Sequence, residues 1–167
     1  MAVPLASRKC DLLYLLFFAI HIPIMFLVDL APFYPDSFRP QVITAIREWY
    51  IKTYRDQFFS SPPAWFNAYL LLEALYHLPL SIWAIGALKR DDPKIPLHLL
   101  IFALEAGMTT MTCIADYLSW DISRQEKIDL GFLYVPYLAL AVFMGIDMFC
   151  RLNSQINSRV QKDKKQV

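Results

Sequence analysis

Four long apolar runs divide the sequence and set the first expectation about its fold. They lie at about residues 12–30, 65–88, 96–118 and 130–149, with polar segments between them. A helix of roughly 20 residues, rising about 1.5 Å per residue, crosses a hydrocarbon core of about 30 Å. A buried helix of a water-soluble protein can show one such run, but four in one short chain favour a membrane. The pattern predicts an all-α fold, a four-helix transmembrane bundle.

The segment between the first two runs, residues 31–64, is long for a small bundle. Apolar residues from Val42 to Tyr54 recur at helical spacing, and Pro62 and Pro63 end the segment before the second run. One or two short amphipathic helices are predicted here. They would lie on the membrane surface or fold back as a lumenal lid over the bundle.

Composition agrees with this pattern. Of 167 residues, 57% are hydrophobic, and the mean hydropathy is +0.37, whereas water-soluble domains are nearer half apolar. Four runs of about 20 residues use about half of the chain, so we expect one membrane domain over residues 1–167. With a net charge of +1 and no basic face, a nucleic-acid partner is not expected.

Basic residues indicate the orientation. Ten lie in residues 1–11, 89–95 and 150–167, against six in 31–64 and 119–129. The positive-inside rule then places both termini and the 150–167 tail in the cytosol. Lys164 and Lys165 are fourth and third from the end of the sequence, as in a dilysine signal for retrieval to the endoplasmic reticulum. Attraction of these lysines to anionic headgroups is the alternative.

The three cysteines predict neither a disulfide framework nor a metal site. Cys10, Cys113 and Cys150 form no CxxC motif and no Cys/His cluster. No cofactor is expected.

Ionisable side chains inside the apolar runs are the candidates for function. Each costs about 2.5–3.5 kcal/mol on insertion scales, so it marks a functional site or a buried polar network. They are His21, Asp29, Glu73, His77, His98, Glu105, Asp116 and Asp147. His98, Asp116 and Asp147 are near the ends of runs, where the interfacial layer accommodates charge.

Asp29 and Glu73 are at similar depths in consecutive, antiparallel spans. Two carboxyls in a dry site do not both ionise easily, so the pair would share a proton and carry one negative charge, which a cationic ligand complements. Interfacial exposure of Asp29 and a structural hydrogen bond of Glu73 are the alternative. His77 shares a helix face with Glu73, but a metal site is not predicted because no further His or Cys ligand is evident.

Prolines interrupt three of the four runs. Pro23, Pro79 and Pro136 each free a backbone carbonyl and favour a kink. Kinks at similar depth would widen the bundle into a cavity, in which Tyr134 and Tyr137, on either side of Pro136, would place rings and hydroxyls.

Several short sequence segments occur in the same order as in one known protein family. They are His21–Ile24, Asp29–Leu30, Trp49–Tyr50, Asp56, Pro62–Phe66, Glu73, Leu78–Pro79, Met108–Thr110 and Tyr134–Tyr137. The chain resembles the sigma-2 receptors of the EXPERA-domain family, which also includes the emopamil-binding sterol isomerases. The resemblance extends over nearly the whole chain, and its most specific parts are Pro62–Phe66 and the set Asp29, Asp56 and Glu73.

The resemblance implies a homodimeric protein of the endoplasmic reticulum with a pocket for sterols or lipophilic amines. Asp29 would pair with a ligand ammonium, protonated Glu73 would bond to Asp29, and Asp56 would hold the lid. The resemblance also implies that Trp49, Thr110, Tyr134 and Tyr137 line the pocket. His77 and Met25 are further candidate ligand-binding residues, and His21, like Asp56, is a candidate structural polar residue. Partners in sterol trafficking are also implied.

Three features depart from the family pattern. His77 stands where the mammalian receptors have glutamine, Glu105 is additional, and the second lumenal loop is short. A histidine beside Glu73 would change the polarity of the pocket and its response to pH.

Three functions therefore compete. The first is a non-enzymatic sterol or lipid receptor that regulates sterol homeostasis and trafficking. The second is a sterol Δ8–Δ7 isomerase with Glu73 and His77 as acid and base. The third is a structural or chaperone partner of other membrane proteins, in which the buried acids are purely structural.

Overall fold

The computed structural model describes residues 4–35 and 40–165, the side chain of Asp163 excepted, and these residues contain no β-strand. The helices are α1 Lys9–Ile24, α2 Gln41–Tyr54, α3 Gln57–Ser60, α4 Ala64–Leu72, α5 Leu78–Arg90, α6 Ile95–Ser119 and α7 Arg124–Lys164. Short 3-10 turns occupy Leu5–Ser7 and Ala31–Phe33. Two π turns, Met25–Asp29 and Glu73–His77, extend α1 and join α4 to α5.

Four helical stretches are long and apolar enough to cross a membrane. They are Lys9–Asp29, Ala64–Arg90, Ile95–Ser119 and Arg124–Lys162, which confirms the prediction of a four-helix transmembrane fold. Within the most apolar part of each stretch, only 17% to 33% of the residues are buried inside the protein. The remaining apolar side chains face outward, where lipid tails rather than water are the favourable surroundings.

The fourth helix is much longer than its apolar run. α7 contains 41 residues and includes most of the predicted tail at 150–167. After Gly145 the sequence has no glycine or proline to end a helix. At about 1.5 Å per residue α7 is roughly 60 Å long, so its C-terminal part extends beyond a hydrocarbon core of about 30 Å.

The main core lies between α1, α5, α6 and α7. Its largest buried side chains are Tyr14, Phe18, Leu88, Leu99, Phe102, Met144 and Met148. Small buried residues, among them Ala103, Ala106 and Ala141, let the α6 and α7 backbones approach closely, as is common between membrane helices. This packing brings the polar residues of neighbouring helices to the same level.

The segment between the first two spans folds back over one end of the bundle, as the lid alternative predicts. We call α2 and α3 the lid, the end they cover the lid end, and the opposite end the tail end. α2 ends at Tyr54, and the left-handed backbone of the next residue, Arg55 (φ 51°), reverses the chain. Phe58 of α3 is buried and stacks on Phe66 of α4, with ring centroids 4.8 Å apart. Residues 36–39, which lead into the lid, lie outside the described residues.

Candidate functional site

A cavity of about 670 Å³ lies inside the bundle beneath the lid, a size typical of small-molecule sites. Its walls come from α1, the lid, α4, α6 and α7 and from both π turns. Its ionisable lining residues are His21, Asp29, Glu73, His77 and Glu105, with Tyr50, Tyr54, Tyr69, Tyr134 and Tyr137 as further polar groups. Most of the remaining lining is apolar. The cavity thus combines an apolar volume with a few converging charges.

The first acidic residue belongs to the π turn that ends the first span. The amide of Leu30 donates a hydrogen bond to the carbonyl of Met25, five residues earlier, at 2.8 Å. Pro23 precedes this turn and has no N–H for regular helix bonding. The wider turn changes the direction of the residues that follow, and Asp29 lines the cavity.

The second acidic residue opens the other π turn. The amide of Leu78 donates to the carbonyl of Glu73, again five residues earlier, and Pro79 follows directly. Glu73 and His77, the first and last residues of this turn, both line the cavity. Single π turns within α-helices are frequent at functional sites, and here each of the two carries a carboxyl group into the same cavity.

Two histidines from different spans lie close together at the cavity wall. His77 is buried, and its Nε2 contacts the carboxylate of Glu105 on α6. His21 of α1 is also buried, and its ring centroid is 6.4 Å from that of His77. One donor atom each from His21, Glu73 and His77 lie within 4.8 Å of one another, an arrangement that has the ligand types of a transition-metal site.

Asp56 connects the lid to the bundle. It is fully buried and accepts hydrogen bonds from Tyr50 of the lid (2.9 Å), Tyr134 of α7 (2.8 Å) and the amide of Phe58 (3.0 Å). Burial raises the pKa of Asp56 above its ordinary value, and these hydrogen bonds only partly oppose the rise. Burial and the nearby Asp56 also raise the pKa of Tyr50.

The other candidate ligand-binding residues divide into two groups. Trp49, Thr110, Tyr134 and Tyr137 line the cavity. The Thr110 hydroxyl donates to the carbonyl of Ala106 at 2.7 Å, so in this arrangement its proton does not donate to a ligand. Met25 is fully buried and lies outside the cavity lining.

Sequence reasoning assigned two cavity residues no ligand role. Glu105 was only an addition to the family pattern, and His21 was a structural polar residue. Both were recognisable as ionisable groups at membrane depth, but nothing in the sequence showed that His21 and Glu105 both lie next to His77. The apolar lining residues Phe17, Ile20 and Leu140 carried no sequence signal, because apolar residues of a membrane helix face either lipid or protein.

The remaining ionisable residues of the spans lie outside the cavity. Asp116 accepts a hydrogen bond from the indole of Trp120 at 3.1 Å. His98 packs edge-on against Trp83, with ring centroids 4.7 Å apart. Lys164 and Lys165 are exposed at the end of α7, and residues 166–167 lie outside the described residues.

Asp147 is part of an ionic network at the tail end. It accepts hydrogen bonds from Tyr14 (2.8 Å) and from Nε of Arg151 (3.0 Å). Arg151 also donates to Asp11 at 2.6 Å, and Arg8 contacts the other oxygen of Asp11. Asp11 is buried, so two arginines compensate its carboxylate, and the network joins the start of α1 to α7.

Comparison with known protein families shows the family of this chain. Residues 42–148, well over half of the chain, match the family EBP, described as EXPERA (EXPanded EBP superfamily). The chain belongs to this family. The matched EXPERA segment begins in the lid and ends in α7, so it includes Glu73, His77 and Glu105, while His21 and Asp29 precede it.

Two kinds of relative are similar to this EXPERA protein over most of its length. Sigma intracellular receptor 2 of Homo sapiens is 27% identical over 161 residues, which are 89% of this chain and 92% of the receptor. The receptor of Xenopus tropicalis is 26% identical over 152 residues, 85% of this chain and 89% of its own. Efficient mitochondria targeting-associated protein 19 of Schizosaccharomyces pombe is 28% identical over 152 residues, 90% of this chain and 80% of its own. The resemblance read from the residues is confirmed.

Proposed function

We propose that this EXPERA protein is a membrane receptor that binds a sterol or a lipophilic amine in the cavity beneath the lid and thereby regulates sterol homeostasis. The observation that carries the proposal is the placement of Asp29 and Glu73, from two different π turns, in one largely apolar cavity. The relatives called sigma intracellular receptor 2 support a receptor role.

Charge explains why a lipophilic amine fits. In a low-dielectric cavity one proton shared between two carboxyls leaves a single negative charge, which one ammonium group neutralises. Tyr134 and Tyr137 line the same cavity, and aromatic faces attract a cation. A sterol has no charge and would depend on the apolar walls.

The test measures binding of a radiolabelled lipophilic amine and of a labelled sterol to the purified chain in detergent. Asp29→Asn removes the charge without changing the shape, and we expect amine affinity to fall about tenfold or more, the usual value of a charged hydrogen bond. Glu73→Gln should also weaken the amine. Sterol binding should change less in both variants.

Asp116→Asn is the matched control, because Asp116 is an acid of the third span outside the cavity. It should bind both ligands as the unchanged protein does. Equal amine binding by the unchanged chain, Asp29→Asn and Glu73→Gln would contradict the proposal.

Isomerase activity is a second candidate, favoured by the contact between His77 and Glu105 in the same cavity as Glu73. The reaction adds a proton to C9 of the Δ8 alkene, which leaves a cation at C8, and then removes a proton from C7 to form the Δ7 alkene, so no oxidant or reductant is needed. Conversion of a Δ8 sterol to its Δ7 isomer, abolished by Glu73→Gln, would favour this function. A sterol that binds and is recovered unchanged would favour the receptor.

A third candidate is a partner of other membrane proteins, favoured by the similarity to a Schizosaccharomyces pombe protein named for efficient mitochondria targeting. In that case the buried acids serve only the fold. Impaired mitochondrial import in cells that lack the protein, restored in full by Asp29→Asn and Glu73→Gln, would favour this role.

Cellular location is part of the proposal. Lys164 and Lys165 would return the protein to the endoplasmic reticulum from a cytosolic tail, with both termini cytosolic. Replacing both lysines by serine should move the protein toward the cell surface, whereas replacing Arg159 and Lys162 should not. A homodimer, partners in sterol trafficking and a single domain over the whole chain stay predictions.

A further inference from the structure

Three metal-binding side chains from two spans meet at one wall of the cavity. His21 belongs to α1, while Glu73 and His77 belong to the π turn between α4 and α5. Two imidazoles and one carboxylate form the ligand set of several open zinc sites and of non-haem iron sites. The set includes His21, a donor that sequence spacing does not connect to the other two residues.

The distances suit a transition-metal ion. One donor atom from each residue lies within 4.8 Å of the other two. Ligand atoms about 2.0–2.1 Å from a tetrahedral Zn²⁺ lie roughly 3.3 Å from one another. The three atoms therefore need to approach by at most about 1.5 Å, a movement that small side-chain rotations supply.

The surroundings orient one of these ligands. Glu105 contacts Nε2 of His77. In many metal sites a carboxylate holds the ring of a metal-binding histidine through one nitrogen in this way, while the other nitrogen binds the ion. Among the described residues, the other carboxylate oxygen of Glu105 is buried without a hydrogen-bond partner. A cation close to His77 would reduce the electrostatic cost of this buried oxygen.

Charge and ligand type select the ion. A metal ion displaces the proton of a carboxyl that binds it, so metal-bound Glu73 and ionised Glu105 would together carry two negative charges, which match one divalent cation. Mg²⁺ and Ca²⁺ need about six or more oxygen ligands, whereas Zn²⁺ accepts imidazole nitrogen and is stable with four ligands. Three protein ligands leave a fourth position free for a water or a ligand group.

We infer that His21, Glu73 and His77 bind a divalent transition-metal ion, of which Zn²⁺ is the best match, at the wall of the cavity, with Glu105 positioning His77. This inference goes beyond the proposed function and does not depend on it, because a metal can bind here whether or not a sterol or an amine does.

The experiment uses the full chain, purified in detergent and free of any histidine tag. After treatment with a chelator the protein is dialysed against buffered Zn²⁺, and bound zinc is measured by mass spectrometry. About one Zn²⁺ per chain is expected. His21→Gln, His77→Gln and Glu73→Gln should each lower the affinity at least tenfold, and Glu105→Gln should lower it about tenfold, the usual effect of a residue that orients a ligand.

His98→Gln is the matched control, because His98 also lies within a span but packs on Trp83 outside the cavity. It should bind zinc as the unchanged chain does. Asp29→Asn separates this inference from the proposed function, since it should weaken the amine but keep the zinc. In the unchanged chain, zinc binding without amine binding would contradict the proposed function alone, and amine binding without zinc binding would contradict this inference alone.

X-ray absorption at the zinc edge tests the site without any substitution, which matters where a variant does not fold. Two imidazole ligands and one carboxylate are expected in the zinc-loaded chain. Substoichiometric zinc, zinc retained by folded His21→Gln and His77→Gln, or a spectrum with sulfur ligands or without imidazole would overturn the inference.

Discussion

At the residue scale, Asp56 is the side chain that joins the lid to the bundle. Its carboxyl is fully buried and serves three donors, Tyr50, Tyr134 and the Phe58 amide. Through these bonds Asp56 caps α3 and links Tyr50 of α2 to Tyr134 of α7. A single side chain therefore fixes the position of the lid, and its loss leaves several buried polar groups unpaired.

Replacing Asp56 by alanine should destabilise the protein by about 2–4 kcal/mol, because two tyrosine hydroxyls and an amide lose their acceptor. In thermal unfolding in detergent, this loss corresponds to a fall of the midpoint by roughly 5–15 °C. Asp121→Ala, which removes an exposed acid from the loop before α7, is the control and should shift the midpoint little. A small shift for Asp56→Ala would mean that the lid does not depend on this carboxyl.

The raised pKa of Asp56 predicts a dependence of stability on pH. Burial raises the pKa in the folded state above the ordinary value of 3.8, so between the two pKa values the folded state binds more protons than the unfolded state. The contribution of Asp56 is therefore fully present below the ordinary pKa and is lost as the pH rises through the raised one. Asp56→Asn should remove this component from the stability measured across that range. An unchanged pH profile in the variant would contradict the assignment.

At the scale of elements, the two π turns determine which residues enter the cavity. A regular α-helix turns about 100° per residue, so one extra residue in a turn shifts the face of everything beyond it. Asp29 and Glu73 each lie within such a turn. The prolines beside these turns lack the N–H that regular helix bonding requires, which links the sequence to this local geometry.

Replacing Pro79 by alanine should weaken ligand binding without lowering stability. Alanine restores an amide and favours a regular helix, so Glu73 and His77 lose the π geometry, while removal of a helix-interior proline relieves a cost of about 3 kcal/mol. Pro79 is exposed, so no core packing is lost. We expect amine affinity to fall about tenfold and the unfolding midpoint to stay or rise. Pro96→Ala, in the first turn of α6, is the control for binding, and unchanged affinity in Pro79→Ala would contradict the role of the turn.

At the scale of the whole molecule, two polar clusters close the bundle at opposite ends. Asp56 joins the lid to α7 at the lid end, and Asp11 joins α1 to α7 through Arg151 at the tail end. The cavity lies nearer the lid end, beyond the main core. The tail-end network is therefore expected to support the fold with little influence on ligand affinity.

Arg151→Met should destabilise the protein by about 2–4 kcal/mol while leaving ligand affinity unchanged. Breaking a buried ion pair costs about 3–5 kcal/mol, and Arg8, which still contacts Asp11, reduces the loss. Thermal unfolding and amine binding measured on the same sample test both parts. Arg159→Met, on the exposed part of α7, is the control, and a variant of Arg151 with full stability would contradict the structural role of the network.

The sequence by itself determined the membrane class, the four spans, the helical lid and the family. These properties depend on short stretches of sequence. The free energy of transferring a span into the membrane is nearly a sum over its residues, and a family motif is read directly from consecutive residues. The sequence also identified Asp29 and Glu73 as buried acids, since any ionisable group at membrane depth is unusual.

Only the tertiary structure decided which of the buried polar residues meet. His21 and His77 are far apart in the sequence, and their proximity depends on the rotation of α1 against the π turn at Glu73–His77, which hydropathy does not encode. The same holds for Asp147, which reads as an interfacial residue at the end of a run but contacts Tyr14 and Arg151. Contacts between helices depend on rotation and register, and these are set by the packing of the whole bundle rather than by any one segment.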